Sequence, residues 1–221
     1  FDGYKKFRQE LLLEVHTLGD TGSHEEIELD GTSTIPGIIE GITMRNIQCL
    51  EDTRYLLSAD EVAACVELIR NADTILLFGI GASLGVARDA YLKFLRVDKP
   101  CVINDDWHSQ LLQARNAKKG DVGIVFSYSG QTTEMIQCIE AMKRNGTPVI
   151  AVTRSAPSPV AKLADYRLHT ATNELTFRIG ALSSRMAQLN VVDILYAGFV
   201  NAEYEYCMKQ FVRTQIFKEG Q

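Results

Sequence analysis

Positive charge, tryptophan, paired cysteines and long apolar runs are all scarce in this 221-residue sequence. Its 23 lysines and arginines are outnumbered by 28 aspartates and glutamates, for a formal net charge of −5. Phosphate-backbone contacts come from clustered cations, so the chain as given is a poor candidate for gripping nucleic acid itself. The five cysteines (Cys49, Cys65, Cys101, Cys138, Cys207) stand far apart, with no CxxC pair. That spacing argues against a disulfide scaffold and predicts reduced thiols buried as small hydrophobes in a cytoplasmic protein. No His, Cys or carboxylate pair has metal-ligand spacing, so neither a metal nor another cofactor is expected. No apolar run reaches membrane-spanning length and no signal-peptide pattern opens the chain, so no membrane contact is expected. The sequence begins at Phe1 rather than methionine, as a piece of a longer protein would.

What is present is a 46% hydrophobic chain, long enough to bury one full-sized core. Tyr4, Phe7, Leu11 and Val15 fall at helical spacing and predict a short amphipathic helix over 4–15. Residues 17–34, rich in Gly, Thr and Asp, read as a linker, and the glutamates 25, 26 and 28 within it as solvated charge. A helix is predicted over 37–57, with Pro36 suiting its first turn. Another follows "SADE", a capping-box pattern of Ser58 and Glu61, and runs to about Arg70. Five short apolar or β-branched runs follow, at 74–80, 100–104, 121–127, 148–153 and 166–170, separated by helical stretches at 84–96, 107–116, 132–145 and 158–164. Near-continuous apolar strands imply a sheet covered on both faces, which predicts a parallel α/β layer. Residues 181–217 close the chain as a helical region with an apolar face.

Two strand-to-helix turns stand out: "GIGAS" after the first strand and "SYSGQT" after the third. In a doubly wound sheet of order 2-1-3-4-5 those strands are neighbours at the point where the topology reverses, and ligands bind outside their carboxyl ends. Both turns lead into helix N-termini, whose free N–H groups favour an anion. Gly79 and Gly81 allow close backbone approach, while Ser83, Ser127, Ser129, Thr132 and the adjacent Thr133 offer hydroxyls. Hydrogen bonds to a charged partner contribute about 1.5–3 kcal/mol each, so four or five hold a phosphate monoester without any lysine. A dinucleotide fingerprint is the alternative for the first turn, but its third glycine falls at Gly85 where the pattern needs position 84. An ordinary serine-capped turn is the alternative for the second.

"GIGAS", "SYSGQTTE" and "SPVAKLADYRL" (158–168) together resemble the sugar isomerase (SIS) domain over about residues 36–215. The resemblance implies a three-layer α/β/α sandwich with a five-stranded parallel sheet in the flavodoxin-like order 2-1-3-4-5. It also implies phosphate contacts from Ser83, Ser127, Ser129 and Thr132, and Gly81 and Gly130 in the same turns are expected to complete the phosphate site. "NELTFRIGALSSRMAQLNVVDIL" (173–195) is similar to the segment after the last strand in RpiR-type bacterial transcriptional regulators. "FDGYKKFRQELLLEV" (1–15) resembles the final helix of their helix-turn-helix domain. That likeness implies residues 1–16 as the tail of a missing DNA-binding domain, 17–35 as linker and 36–221 as the effector domain. The implied partners are a phosphorylated sugar or sugar acid, a second copy or three further copies of the chain, and operator DNA reached through the missing domain.

The chemistry leaves an isomerase open. Aldose–ketose isomerisation needs a general base near the C1–C2 protons, and Glu174, Glu134, His108 and His169 are the candidates. Glu174 and Arg185 are expected at the sugar end of the ligand, where Glu174 accepts hydrogen bonds from hydroxyls, all that a sensor needs. Arg185 as an interhelical salt bridge is the alternative. His108 reads as a surface or capping residue and His169 as packed; the single tryptophan, Trp107, is expected in the core, with pocket lining as the alternative. The favoured reading is a sensor, with isomerase as runner-up and an etherase-type lyase behind it.

Overall fold

Side-chain alternation along the strands decides the architecture. In the computed structural model, which describes residues 32–171 and 181–216, strands β1 (Ile75–Gly79) and β3 (Val122–Phe126) are buried at every position. β4 (Val149–Arg154) is buried up to its last residue, whereas β2 (Cys101–Ile103) and β5 (Tyr166–Thr170) are partly exposed. The strands form one parallel sheet in the order β2-β1-β3-β4-β5, so the exposed strands are its two edges.

Ile75, Leu77, Ile124, Phe126, Ile150, Val152 and Leu168 enter one core cluster, and Leu76, Phe78, Val125, Val149 and Ala151 enter another. A strand with both faces apolar needs cover on both. Four helices close the first face: α2 (Ala59–Asn71), α3 (Ala82–Arg96), α7 (Leu182–Ala202) and α8 (Tyr204–Arg213). Three close the second: α4 (Trp107–Asn116), α5 (Thr133–Arg144) and α6 (Pro159–Leu163). α1 (Ile35–Leu56) packs outside them against α7 and β5, through Cys49, Leu56, Ala171 and Ala187. The three-layer sandwich and the strand order expected from the sequence are both present.

Cys49, Cys65, Cys138 and Cys207 are buried as expected, and Cys101 is half-buried. Burial pushes the Cys65 and Cys138 thiols up to about 12, which keeps them protonated and unreactive. Thr34 caps α1 by accepting from Gly37 N at 3.3 Å, and Pro36 lies in the first turn.

Two expectations are corrected, the capping box and Trp107. The capping box at α2 is half-formed: Ser58 Oγ accepts from Glu61 N at 3.4 Å, but the Glu61 carboxylate turns to the sheet edge and accepts from Arg167 N at 2.7 Å. An edge strand leaves backbone N–H groups unpaired, and Glu61 satisfies one of them. The closing helical region expected from residue 181 onward is present as two helices, α7 and α8, with Glu203 between them bonded to Arg70 of α2. Trp107 is 38% exposed rather than in the core, because it is the first residue of α4, directly after the Asp106 cap, where its neighbours Asp105, Asp106 and His108 are exposed too. The helix expected at 4–15 and nearly all of the linker lie outside the described residues.

Candidate functional site

β1 and β3 are paired in register up to Gly79 and Phe126, so the chain leaves the sheet at two points one strand spacing apart, about 4.8 Å. After β1, Gly79 is required by contact: a Cβ there would stand 2.7 Å from the Ser83 carbonyl oxygen. Its backbone is held by the buried amide of Gln110, which donates to Gly79 O at 2.9 Å and accepts from Gly79 N at 3.2 Å. Gly81 (φ 60°, ψ −126°) then turns the chain into α3, a conformation L-residues rarely adopt. No side chain bonds the N-terminus of α3 at this cap. Ser83, in the first turn, is half-buried and donates from Oγ to Gln188 Oε1 on α7 at 3.2 Å.

After β3, Ser127 is 3% exposed and donates to Thr132 Oγ1 at 3.4 Å, so its hydroxyl braces the loop from beneath. Ser129 Oγ accepts from Gln131 N at 3.2 Å and is half-exposed to the mouth. Gly130 (φ 65°) bends the loop and accepts from Val160 N at 3.2 Å at the start of α6. Thr132 is the N-cap residue of α5 but makes no side-chain bond to that helix. The structure therefore brings Gly81, Ser83, Ser127, Ser129, Gly130 and Thr132 to one mouth of the sheet. Two uncapped helix N-termini stand there with hydroxyls in front of them, an arrangement suited to an anion.

The remaining candidates separate. Arg185 is exposed in the first turn of α7, and Glu174 lies outside the described residues. Glu134 is in the first turn of α5 and His108 is exposed beside the Asp106 cap. Among the described residues no group of three or more His, Cys, Asp or Glu is placed to hold a metal ion.

His169 is packed at the sheet edge on β5, and burial pushes its pKa below the ordinary 6.5, outweighing the backbone of Arg154 and Thr153 and the Glu61 carboxylate, which favour the charged ring. The unfolded chain then binds a proton more readily than the folded one. The stability His169 contributes is complete above about pH 6.5 and declines as the pH falls below it. Urea unfolding at about pH 7.5 and about pH 5.5 should show a loss of stability on acidification that His169→Asn reduces. Equal losses in both proteins would contradict this assignment.

Two residues of the mouth escape a reading of motifs. Gln188 is 2% exposed, on the buried stripe of α7 with Ser184, Val191 and Leu195. The available signal was a polar residue on an apolar helical stripe. Arg154 ends the apolar run of β4, and its backbone N donates to Tyr128 O of the second loop at 3.0 Å.

With this geometry in hand, comparison with known proteins is decisive for the family. The sequence pattern of the SIS domain matches residues 68–198. The chain belongs to the SIS domain family. An uncharacterized HTH-type transcriptional regulator of Caldanaerobacter subterraneus subsp. tengcongensis is 39% identical over 191 residues, 85% of this chain and 68% of that protein. Another, YbbH of Bacillus subtilis, is 36% identical over 172 residues, 77% of this chain and 61% of that protein. The NanR protein of Vibrio vulnificus, solved in complex with ManNAc-6P, superposes with a TM-score of 0.76 at 27% identity, covering 80% of this chain and 67% of that one. This SIS chain thus spans about two thirds of the length of these relatives, of which the two sequence relatives are named HTH-type transcriptional regulators.

Proposed function

We propose that this SIS domain is the phosphosugar-sensing part of an HTH-type transcriptional regulator and performs no chemistry on its ligand. One observation carries the reading: two hydroxyl-bearing loops leave neighbouring strands side by side and end in uncapped helix N-termini. A phosphate seated there accepts from Ser83, Ser129 and Thr132, with Ser127, Gly81 and Gly130 shaping the loops. The NanR protein, similar over 80% of this chain, is known in complex with ManNAc-6P, which supports a phosphorylated sugar or sugar acid as ligand. Glu174 and Arg185 stand at the sugar end in this reading. Residues 1–16 are the tail of a helix-turn-helix domain that contacts operator DNA, 17–35 are the linker, and 36–221 are the sensor.

α1 leaves Ile35, Ile39, Met44 and Ile47 exposed, which supports a homodimer or homotetramer built through that helix. Ligand shifts the subunit arrangement if it binds one arrangement more tightly, and a coupling of about 1–3 kcal/mol is enough. The relatives' role and the reduced thiols support a cytoplasmic protein; among the described residues no helix is long and apolar enough to cross a membrane.

Thermal-shift screening against phosphosugars and their unphosphorylated counterparts tests the reading. A ligand at a hundredfold excess over its Kd stabilises by about 2.7 kcal/mol, which raises the melting temperature of a chain this size by about 5–10 °C. Phosphorylated ligands should produce that shift and remain unchanged by NMR after prolonged incubation. Conversion of a hit to its ketose or aldose isomer would make the chain an isomerase. No shift with any phosphorylated sugar would overturn the reading.

A further inference from the structure

Three buried polar atoms without a hydrogen-bond partner lie at the mouth: Arg154 Nε, Thr170 Oγ1 and Gln188 Nε2. They share a face of the sheet. Ile150 and Val152 enter the core beneath α7, and alternation carries Arg154 to that same side; Leu168 does the same for Thr170. Arg154 and Thr170 are register partners on adjacent strands, and α7, which carries Gln188, packs against both strands. Two of the groups are tied to the candidate site by a bond, and Thr170 joins them as the register partner of Arg154. Arg154 N is tied to Tyr128 O in the second hydroxyl loop, and Gln188 Oε1 accepts from Ser83 in the first.

Arg154 is half-buried, but its Nε is withdrawn from water with no acceptor facing it, which is unfavourable unless a ligand supplies one. The hydroxyl loops already supply the donors for a phosphate. The guanidinium is therefore left over, with a hydroxyl and a carboxamide N–H on the same face to complete a second set of donors. We infer that Arg154 reads a second anionic group on the ligand, a carboxylate, so that the preferred effector is a phosphorylated sugar acid. This rests on the phosphosugar reading and narrows it. A carboxylate is planar and matches the guanidinium fork with two parallel N–H···O bonds, leaving its remaining lone pairs for Thr170 and Gln188.

The test is calorimetric binding of two matched pairs, glucose 6-phosphate against 6-phosphogluconate and ribose 5-phosphate against 5-phosphoribonate. The wild-type chain should favour the acid of at least one pair by about tenfold or more, since a charge-assisted pair is worth that much. Arg154→Met should cut the preference to below about twofold, and Arg154→Lys, which keeps the charge but not the fork, should leave it intermediate. Ligand-free melting curves accompany every variant, and the wild-type preference is a result in its own right should Arg154→Met fail to fold. A wild-type chain that binds sugar and acid alike, or prefers a sugar bisphosphate, overturns the inference and leaves the phosphosugar reading standing. A variant that loses both ligands in proportion and keeps the preference also overturns it. Failure to bind any phosphorylated compound removes both.

Discussion

Replacing Ser83 and Ser129 together with alanine is expected to lower affinity for the phosphorylated ligand by about a hundredfold to ten-thousandfold. In the proposed complex each hydroxyl turns its one proton to the phosphate, Ser83 exchanging its bond to Gln188 Oε1 for it, and bonds to a charged acceptor contribute about 1.5–3 kcal/mol. Two of them amount to about 3–6 kcal/mol, and each 1.4 kcal/mol is tenfold in Kd. The hydroxyls sit in different loops, one on the turn into α3 and one on the turn into α5, so neither compensates for the other. Neither removal should unfold the chain. Ser83→Ala unpairs Gln188 Oε1, and Ser129→Ala frees Gln131 N, which is exposed and reaches water. Isothermal titration of the double variant, with a melting curve to show that it is folded, measures the effect. Affinity within tenfold of the wild type would mean the phosphate is held elsewhere.

Gly130→Ala is the second large effect, and it falls on stability. At φ 65° an L-residue is strained by about 1–2 kcal/mol. The added Cβ would also stand 2.5 Å from Ser158 Cβ and 3.0 Å from Thr153 Oγ1. Ser158 has little room to retreat, because its Oγ accepts from Ala161 N at 3.2 Å as the N-cap of α6. Overpacking of this kind costs a further 1–3 kcal/mol, roughly. The sum of about 2–5 kcal/mol corresponds to a melting temperature lowered by about 5–20 °C. Gly146→Ala is the matched control: φ is 72° there, but the space around the new methyl group is open. It should show the strain alone, about 1–2 kcal/mol. Equal drops in the two variants would show that the contact with Ser158 does not constrain the loop.

Much of this architecture is written in local patterns. The runs that became β1, β3 and β4 are apolar at successive positions, which is what a doubly covered strand requires, and their boundaries fall within a residue or two of the structural ones. The hydroxyl loops were legible because glycine and serine mark a strand-to-helix turn wherever the backbone must bend tightly. Pairings across the fold were not legible. Ser83 and Gln188 are 105 residues apart, and Glu61 reaches Arg167 across 106. Nothing in a local window tells Glu61 to satisfy a sheet edge rather than its own helix, since both acceptor roles use the same carboxylate. Arg154 is hidden for a related reason: a cation at the end of an apolar strand ordinarily reaches solvent, and only the packing of α7 over β4 withdraws its Nε.

The central claim is that a phosphate is held between the turns at 81–83 and 127–132. Its most direct test is a 1H–15N titration of the chain with the tightest-binding phosphosugar, repeated with the same sugar lacking the phosphate. Backbone amides at 81–83 and 129–132 should show the largest shifts with the phosphorylated compound and little change with the other. Shifts of equal size with both compounds, or shifts centred away from these two loops, would contradict the site.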